Sequence, residues 1–309
     1  MIPMTAVTQE SLRVFVVEVL QAMGLSGEDA DIFGNALIFS ELRFHPGHGQ
    51  GVKKLRRYQK RFSQNLFDPG ALWEVVKESP ALALVDAHNG LGTVAAARAM
   101  QLAIEKAKVC GIGQVVVRNS THFGSSAVHA SLAAETGCIG IAFTNAGPEM
   151  APWGAREGAV GTNPWGIAAP TGLGFPAVLD IALTTAGKGM MRWHADEGQL
   201  MPLDWALTPE GEETDDPEAA MAGALLGIGR YKGYGLAFMT DVLTGVIGGG
   251  GYGLTPYADP EKWDVSHTLI AIDIEWFMPL DEFRQRMDDF TDMMKSRALR
   301  PGFTEVLIP

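Results

Sequence analysis

Apolar residues recur at helical spacing in the first part of the chain. The segment between Thr8 and Gly24 predicts one helix, because threonine is a favoured N-cap and glycine commonly follows the last helical turn. Ser26 predicts the N-cap of a second helix that runs to about Arg43, and the basic stretch from Lys53 predicts a third. The apolar stripe of the first helix consists of Leu12, Phe15, Val16, Val19 and Leu20.

From about residue 80 the pattern changes to short apolar runs that alternate with longer amphipathic segments. The short runs predict strands and the longer segments predict helices. This succession is typical of α/β packing around a sheet. The predicted strands are 81–85, 114–117, 138–143, 165–169, 176–180 and 268–274. The predicted helices are 93–109, 125–135, 218–225, 232–246 and 279–299, and the acidic segment 204–217 is predicted to be a loop.

Charge narrows the class of partner. The 309 residues carry a net charge of −12, an acidic excess that argues against nucleic acid or an anionic membrane as a partner. The hydrophobic content of 47% is that of a globular protein. Basic residues nevertheless cluster in 52–61, which holds six of the 24 lysines and arginines. This segment is either a solvated helix face or a local patch that binds an anionic ligand.

The cysteines and the apolar runs predict the compartment. Cys110 and Cys138 lie in apolar sequence, and two cysteines do not make a disulfide framework. The first residues lack the charged and apolar segments of a secretion signal, and no apolar run approaches the ~18 residues of a membrane span. The sequence therefore predicts a cytoplasmic protein without a membrane partner.

The segment 119–124, Asn-Ser-Thr-His-Phe-Gly, follows a predicted strand and precedes a predicted helix. His122 then lies at a strand end, and the residues after it lie at a helix N-terminus, whose free N–H groups suit a phosphate. The alternative is an ordinary turn with a capping serine. The nearest approach to a Rossmann phosphate loop, Gly90-Leu91-Gly92, lacks the third glycine. A dinucleotide would therefore bind by another architecture.

Three further residues are candidates for chemistry. His48 lies between two glycines at a helix break, where an imidazole can exchange protons near neutral pH. With His45 it could instead ligate a metal, but the spacing indicates no third ligand, so no metal is predicted. Lys232 lies among glycines at a predicted helix start, where it is either a solvated lysine or a cation that reaches a phosphate or carboxylate. Asp180 ends a strand and could orient a histidine, hold a ribose hydroxyl or cap the next segment.

These motifs, in this order, resemble those of the type 2 malate/L-lactate dehydrogenase family. That family includes ureidoglycolate and sulfolactate dehydrogenases, diketogulonate reductase and piperideine-2-carboxylate reductase. The resemblance covers nearly the whole chain and is densest in 85–174. The matching segments are 86–92 (Asp-Ala-His-Asn-Gly-Leu-Gly), 120–124, 144–145, 151–154, 161–164, 179–180 and 232–235.

The resemblance implies an α/β fold in which NAD or NADP binds on a sheet unlike that of the Rossmann fold, within residues 79–275. Residues 1–78 together with 276–309 would form a helical domain for substrate and dimer contacts. The implied activity is hydride transfer between NAD(P)H and a small, anionic 2-oxo or 2-hydroxy acid, catalysed by a homodimer.

The resemblance also implies roles for individual residues. His48 and His122 are both candidates for the acid/base that exchanges a proton with the substrate, and Asp180 joins them as a catalytic candidate. The implied cofactor-binding residues are His122, Phe123, Gly124, Ser125, Ser126, Asn145, Ala146, Asp180, Ile181, Ala182 and Lys232. The implied substrate-binding residues are Lys53, Lys54, Arg57, Thr162 and Asn163.

Departures from the family pattern leave the substrate open. Gly47 stands where the family usually has serine, and about two extra residues separate His48 from Tyr58. The family's substrate-binding arginine therefore has no secure counterpart in the basic segment. Two alternatives to the 2-oxo acid dehydrogenase remain: a reductase of cyclic imino acids, which applies the same hydride step to C=N, and a catalytically weak relative that binds a nucleotide.

Overall fold

The structure, a computed structural model, describes residues 6–43 and 51–309. Its helices are α1 (Gln9–Ala22), α2 (Gly27–Leu42), α3 (Leu55–Ser63), α4 (Gly92–Cys110), α5 (Ser126–Glu135), α6 (Lys188–Asp196), α7 (Pro217–Ala222), α8 (Tyr231–Asp241) and α9 (Leu280–Lys295). Its strands are β1 (Glu74–Glu78), β2 (Leu82–Asp86), β3 (Ile112–Ser120), β4 (Cys138–Thr144), β5 (Trp165–Ala169), β6 (Ala177–Ile181), β7 (Ala206–Leu207), β8 (Ala224–Leu225) and β9 (Val265–Asp273). Two 3₁₀ segments, Val52–Lys54 and Ile274–Trp276, and a π-helical segment, Val242–Val246, complete the elements.

One mixed sheet carries the fold. Its strand order is β1-β2-β3-β9-β4-β5-β6. β2 and β3 are parallel, whereas the other neighbouring pairs are antiparallel. β9, the last strand along the chain, lies in the middle of the sheet between β3 and β4. The predicted α/β class is confirmed, and the sheet is not the parallel sheet of the Rossmann fold.

The six predicted strands are present, with ends that shift by up to three residues. Three strands and α6 were not predicted. β1 is an exposed edge strand with the sequence Glu-Val-Val-Lys-Glu, so no buried face marks it. The predicted helix 218–225 is wrong at its end, because α7 stops at Ala222 and β8 follows, paired with β7. β7 lies in the predicted loop 204–217, and strands of two residues show no period that a sequence reading could detect.

Glycines in β3 and β4 allow close packing of α4 and α5 on the sheet. Both helices are rich in alanine, and their buried faces belong to the largest cluster of buried hydrophobic residues. Gly113 and Gly140 lie where an added Cβ would overlap the carbonyl oxygens of Ala103 and Ala130. Small residues on both sides therefore let the helix backbones lie directly against the strands.

The N-terminal helices pack around an aromatic cluster. Phe33 and Tyr58 meet edge to face with ring centroids 4.7 Å apart, and Phe67 and Trp263 do so at 5.2 Å. The same cluster includes Val265, the first residue of β9. The basic helix α3 is thereby held beside the end of the sheet at which β9 begins.

α9 lies against other loops of the sheet layer. Leu280 approaches Gly137, and Asp288 accepts a hydrogen bond of 3.0 Å from the N–H of Gly172. The division into a domain 79–275 and a domain built from 1–78 and 276–309 stays a prediction. Within residues 6–43 and 51–309, no helix has the length and apolar character needed to cross a membrane.

Candidate active site

The turn from Ser120 to Gly124 is held in place by hydrogen bonds of the buried Thr121 side chain. A register shift between Val117 and Ser120 interrupts the pairing of β3 with β9. The Thr121 hydroxyl donates to the carbonyl of Gly90 at 3.0 Å and accepts from the N–H of Gly92 at 2.9 Å. Gly90 and Gly92, which the sequence singled out only as an incomplete phosphate-loop motif, therefore position the turn that carries His122.

A stack of three rings supports the same turn. Phe123, which is 1% exposed, lies between His129 and His267, with ring centroids 4.8 Å and 4.9 Å away. His267 bonds the Ser120 hydroxyl through Nε2 at 2.8 Å and the Thr144 hydroxyl through Nδ1 at 2.7 Å. Burial lowers the pKa of His267 to about 3, so its ring is neutral. Sequence reasoning missed both histidines because each lies in an ordinary apolar helix or strand.

His122 is the half-buried side chain of the turn. Its Nδ1 accepts a hydrogen bond of 3.1 Å from the N–H of Gly124. The pKa of His122 lies well below its usual value because the ring is desolvated and because Lys54, Arg57 and Arg61 place positive charge near it. His267 adds a smaller contribution in the same direction. The imidazole is therefore neutral at neutral pH.

The cations come from the basic segment that the sequence singled out. Burial, with a smaller contribution from Arg57 and Arg61, lowers the pKa of Lys54 to about 7. Arg61 lies 3.9 Å from the centroid of the Trp263 ring, and its burial lowers its pKa to about 10. Arg57 is exposed, and neither arginine takes part in an ion pair within the residues that the structure describes.

The predicted substrate residues separate into two groups here. Lys54 and Arg57 act electrostatically on His122, whereas the exposed Lys53 is not among the groups that shift its pKa. Arg61 was not predicted, although it lies one helical turn after Arg57 and the spacing could have indicated it. The positive potential of this cluster suits a small anion, in contrast to the acidic chain as a whole.

Two further residues near these cations were not found from the sequence. Tyr257 has a left-handed backbone with φ of 64°, and its ring packs against Trp263 with centroids 4.8 Å apart. Burial raises its pKa, while Arg61 and Arg57 act in the opposite direction. Burial likewise raises the pKa of the Glu149 carboxyl, against the influence of Lys188 and Arg57. A bulky residue in this backbone region is uncommon and points to a functional segment.

The segments predicted to bind the cofactor are contiguous. Asp180 on β6 accepts from the Ser125 hydroxyl and, at 3.3 Å, from the N–H of Ala127 at the start of α5. β6 ends at Ile181, and the chain continues through Ala182 to Thr184. Thr184 forms an isolated antiparallel β-bridge with Gly227, four residues before α8 begins. Lys232 stands exposed in the first turn of α8. Asp180 is thus tied to α5, and its predicted catalytic role stays a prediction.

Asn145 and Asn163 use their side-chain amides inside the protein. Asn145 bonds the carbonyl of Gly251 at 2.6 Å and the N–H of Ser266 at 2.8 Å. Asn163 accepts from the N–H of Ala146 at 2.9 Å and donates to the carbonyl of Ala237 at 2.9 Å. Both amides therefore position backbone, and the accessible groups of these segments are Ala146 and the half-buried Thr162.

Some sequence candidates lie outside this description. His48, His45 and Gly47 fall in 44–50, which is outside the described residues. Among the residues that are described, no group of three or more histidine, cysteine, aspartate or glutamate side chains could hold a metal ion.

Comparison with known proteins decides the family. The family model described as malate/L-lactate dehydrogenase matches residues 7–309. The chain belongs to the malate/L-lactate dehydrogenase family. It is 38% identical to a malate dehydrogenase of Pyrococcus abyssi over 98% of this chain and 85% of that protein. It is 36% identical to an L-sulfolactate dehydrogenase of Methanocaldococcus jannaschii over 97% of this chain and 87% of that protein.

Solved structures of the family superpose on this one. Malate dehydrogenase from Entamoeba histolytica matches with a TM-score of 0.93 at 28% identity, over 98% of this chain and 88% of that chain. Delta1-piperideine-2-carboxylate reductase from Pseudomonas syringae matches with a TM-score of 0.84 at 26% identity, over 95% of this chain and 90% of that chain. The resemblance noted in the sequence is confirmed, and the protein is an NAD(P)-dependent oxidoreductase.

The site fits such a cofactor. Lys232 places an exposed positive charge in the first turn of α8, where a lysine can pair with a phosphate of the dinucleotide. At the start of α5 the N–H of Ala127 already donates to the Asp180 carboxylate at 3.3 Å, so this helix end is not a free anion site. The buried Thr184 hydroxyl, which lies beside the β-bridge to Gly227, has no hydrogen-bond partner among the described residues, so a polar group of a bound cofactor could satisfy it. Residues of the segments that contain Ser125, Asp180 and Lys232 would hold the dinucleotide.

Proposed function

We propose that this protein transfers a hydride between NAD(P)H and a small 2-oxo or 2-hydroxy acid that carries a second anionic group. The observation that carries the proposal is the group of three cations, Lys54, Arg57 and Arg61, whose charges act on His122. His122 lies three residues before Ser125, whose hydroxyl donates a hydrogen bond to the Asp180 carboxylate. His122, the three cations and the segments proposed for the cofactor are therefore neighbours.

When bound, NAD(P)H supplies the hydride. Arg57 and Lys54 hold the substrate carboxylate by charge-assisted hydrogen bonds, and Arg61 adds the potential that favours a second anionic group. His122 and His48 are the candidates for the residue that exchanges a proton with the C2 oxygen. Thr162 and the backbone positioned by Asn163 help to hold the substrate and the nicotinamide. Malate and sulfolactate, named in two relatives, have the required second anionic group.

The alternative substrate is a cyclic imino acid. The carboxylate of such a substrate would meet the same cations, and the match to a piperideine-2-carboxylate reductase supports this reading. A cyclic imino acid has one carboxylate, whereas a doubly anionic acid has two negative charges to pair with the three cations. The doubly anionic acid is therefore the better match. The third possibility, a catalytically weak nucleotide-binding relative, predicts cofactor binding without turnover.

The test is a substrate screen with both cofactors. Purified protein should bind NADH or NADPH saturably in a fluorescence titration, and it should oxidise one of them with oxaloacetate or sulfopyruvate faster than with pyruvate or piperideine-2-carboxylate. Arg57→Leu should raise KM for the acid by about tenfold, because one charge-assisted hydrogen bond is lost, and should leave the cofactor Kd unchanged. The neighbouring Arg56→Leu serves as the control with wild-type values. Absence of binding to either cofactor would refute the proposal.

We also infer that the protein is a homodimer. α8 and the segment after it present an apolar surface at helical spacing, which includes Tyr231, Phe238, Met239 and Val246, each between 48% and 58% exposed. Several large apolar side chains exposed along one helix are typical of a protein–protein interface. Both cysteines are free thiols, which supports the predicted cytoplasmic location.

Phe238→Glu should dissociate the dimer, because it places a charge at the centre of this surface. Light scattering should give the wild type about twice the 33.1 kDa of one chain, and the variant about that mass, at micromolar concentration. Val109→Glu also introduces a glutamate, at a residue that is 71% exposed in the last turn of α4, outside both α8 and the predicted dimer domain, and it should leave the dimer intact. An intact dimer in Phe238→Glu would place the interface elsewhere, for example in the predicted helical domain.

A further inference from the structure

The hydrogen bond from Gly124 decides which nitrogen of His122 carries the proton. The N–H of Gly124 donates to Nδ1 of His122 at 3.1 Å, so Nδ1 is the acceptor. A neutral imidazole has one protonated nitrogen, which must then be Nε2. Within residues 6–43 and 51–309, Nε2 has no hydrogen-bond partner and its half-buried ring leaves it accessible. His122 therefore has an N–H donor at Nε2 that is available to a ligand.

The turn is built so that this arrangement persists. Gly124 has φ of 89°, a conformation that glycine adopts readily. The carbonyl of Phe123, directly before it, bonds Nε2 of the buried His129 at 2.8 Å. The Phe123 ring is in turn stacked on His267, with an interplanar angle of 17°. The peptide that carries the Gly124 N–H is thus held on both sides, and its direction toward Nδ1 is fixed.

An imidazolium would conflict with the same surroundings. Protonation of Nδ1 would direct its N–H at the N–H of Gly124, and a hydrogen bond would become a repulsion. The charges near the ring act in the same direction: Arg57 and Arg61 from α3 are cationic, Lys54 from the 3₁₀ segment is cationic below about pH 7, and His267 from β9 offers no negative charge. These groups keep the pKa of His122 well below its usual value.

We propose that His122 acts as a neutral hydrogen-bond donor, through Nε2–H, to the C2 oxygen or nitrogen of the substrate, and that it does not transfer the proton. This role rests on the proposed oxidoreductase function. In the reduction, a hydride from NAD(P)H brings the electron pair of the new C2–H bond, and the π pair of C2=O moves to the oxygen. A second acid, an imidazolium or ammonium group, protonates that oxygen, while His122 keeps its own proton. Neutral histidine can stabilise a developing oxyanion in this way.

The substitutions His122→Gln and His122→Leu separate a donor from an acid/base. The amide of glutamine places an N–H near the position of Nε2 but does not titrate. We expect His122→Gln to retain kcat within about tenfold, and His122→Leu to lose about 10²–10³-fold, the cost of removing one oxyanion donor. The pH dependence of kcat should be the same in the wild type and in His122→Gln. The same pair of substitutions at His194, which lies on α6 and bonds the Leu200 carbonyl, controls for the change of side chain and should leave kcat unchanged.

Equal losses in His122→Gln and His122→Leu, with an active wild type, would overturn the donor role and return His122 to acid/base catalysis. An inactive wild type that binds no cofactor would instead refute the proposed function, so the two failures are distinguishable. Nitrogen-15 NMR of histidine-labelled protein gives a readout without turnover. The signal lost in His122→Gln should belong to a neutral ring protonated at Nε2 throughout pH 6–9. A ring protonated at Nδ1, or an imidazolium in this range, would contradict the proposal.

Discussion

The KM for a 2-oxo acid should rise by about ten- to a hundredfold between pH 6 and pH 9, with the rise beginning near pH 7. Lys54, whose pKa is lowered to about 7, is cationic below that value and neutral above it. The cation binds the substrate carboxylate, so the free enzyme loses this interaction as the pH rises. A hydrogen bond to a charged group contributes about 1.5–3 kcal/mol, which corresponds to about ten- to a hundredfold in affinity. Initial rates at saturating cofactor over this pH range give the profile.

Lys54→Arg is the decisive control, because an arginine stays charged across the whole range. Its KM should be nearly independent of pH. Lys53→Arg makes the same change at the exposed neighbouring lysine and should keep the wild-type profile. The neutral His122 does not titrate in this window, so it contributes nothing to the rise. A wild-type rise that persists in Lys54→Arg would show that another group controls binding.

Local patterns predicted the elements better than their arrangement. The stripe of α1, the alanine-rich α4 and the apolar run of β5 each follow from neighbouring residues, and their ends were predicted within two residues. The place of β9 between β3 and β4 does not follow in this way, because it depends on hydrogen bonds between segments more than a hundred residues apart. A strand sequence specifies a buried or exposed face, but it does not name its partner.

In the candidate site, too, local sequence features were predictable and features that depend on long-range contacts were not. The turn around His122 and the basic segment were visible because a motif or a run of charge marks them. Tyr257 and Glu149 have no such mark, since their importance arises from the cations that long-range folding brings near them. Asn163 was predicted from its motif as a substrate contact, yet its buried amide is occupied by backbone groups. A motif shows that a residue type matters without showing which of its atoms are free.

Gly92→Ala should lower the free energy of unfolding by about 3 kcal/mol and abolish most turnover. An added Cβ at Gly92 would overlap the carbonyl oxygen of Thr121 and lie 2.6 Å from the Thr121 carbonyl carbon and 2.7 Å from that of His122. These atoms are backbone, so no side-chain rotation relieves the overlap, and overpacking of this kind costs roughly 1–3 kcal/mol or more. The turn must then move, and His122 moves with it. Urea unfolding and kcat measure the two effects.

Gly27→Ala provides the matched control. Gly27 is likewise the first residue of its helix, α2, but an added Cβ there meets no atom closer than Nε2 of Gln21 at 3.5 Å. Its substitution should be neutral or stabilise the protein by up to about 1 kcal/mol, because alanine loses less backbone entropy in a helix. Wild-type stability and turnover in Gly92→Ala would mean that the backbone of α4 does not press against the histidine turn. A loss of turnover with unchanged stability would locate the effect in the position of His122 alone.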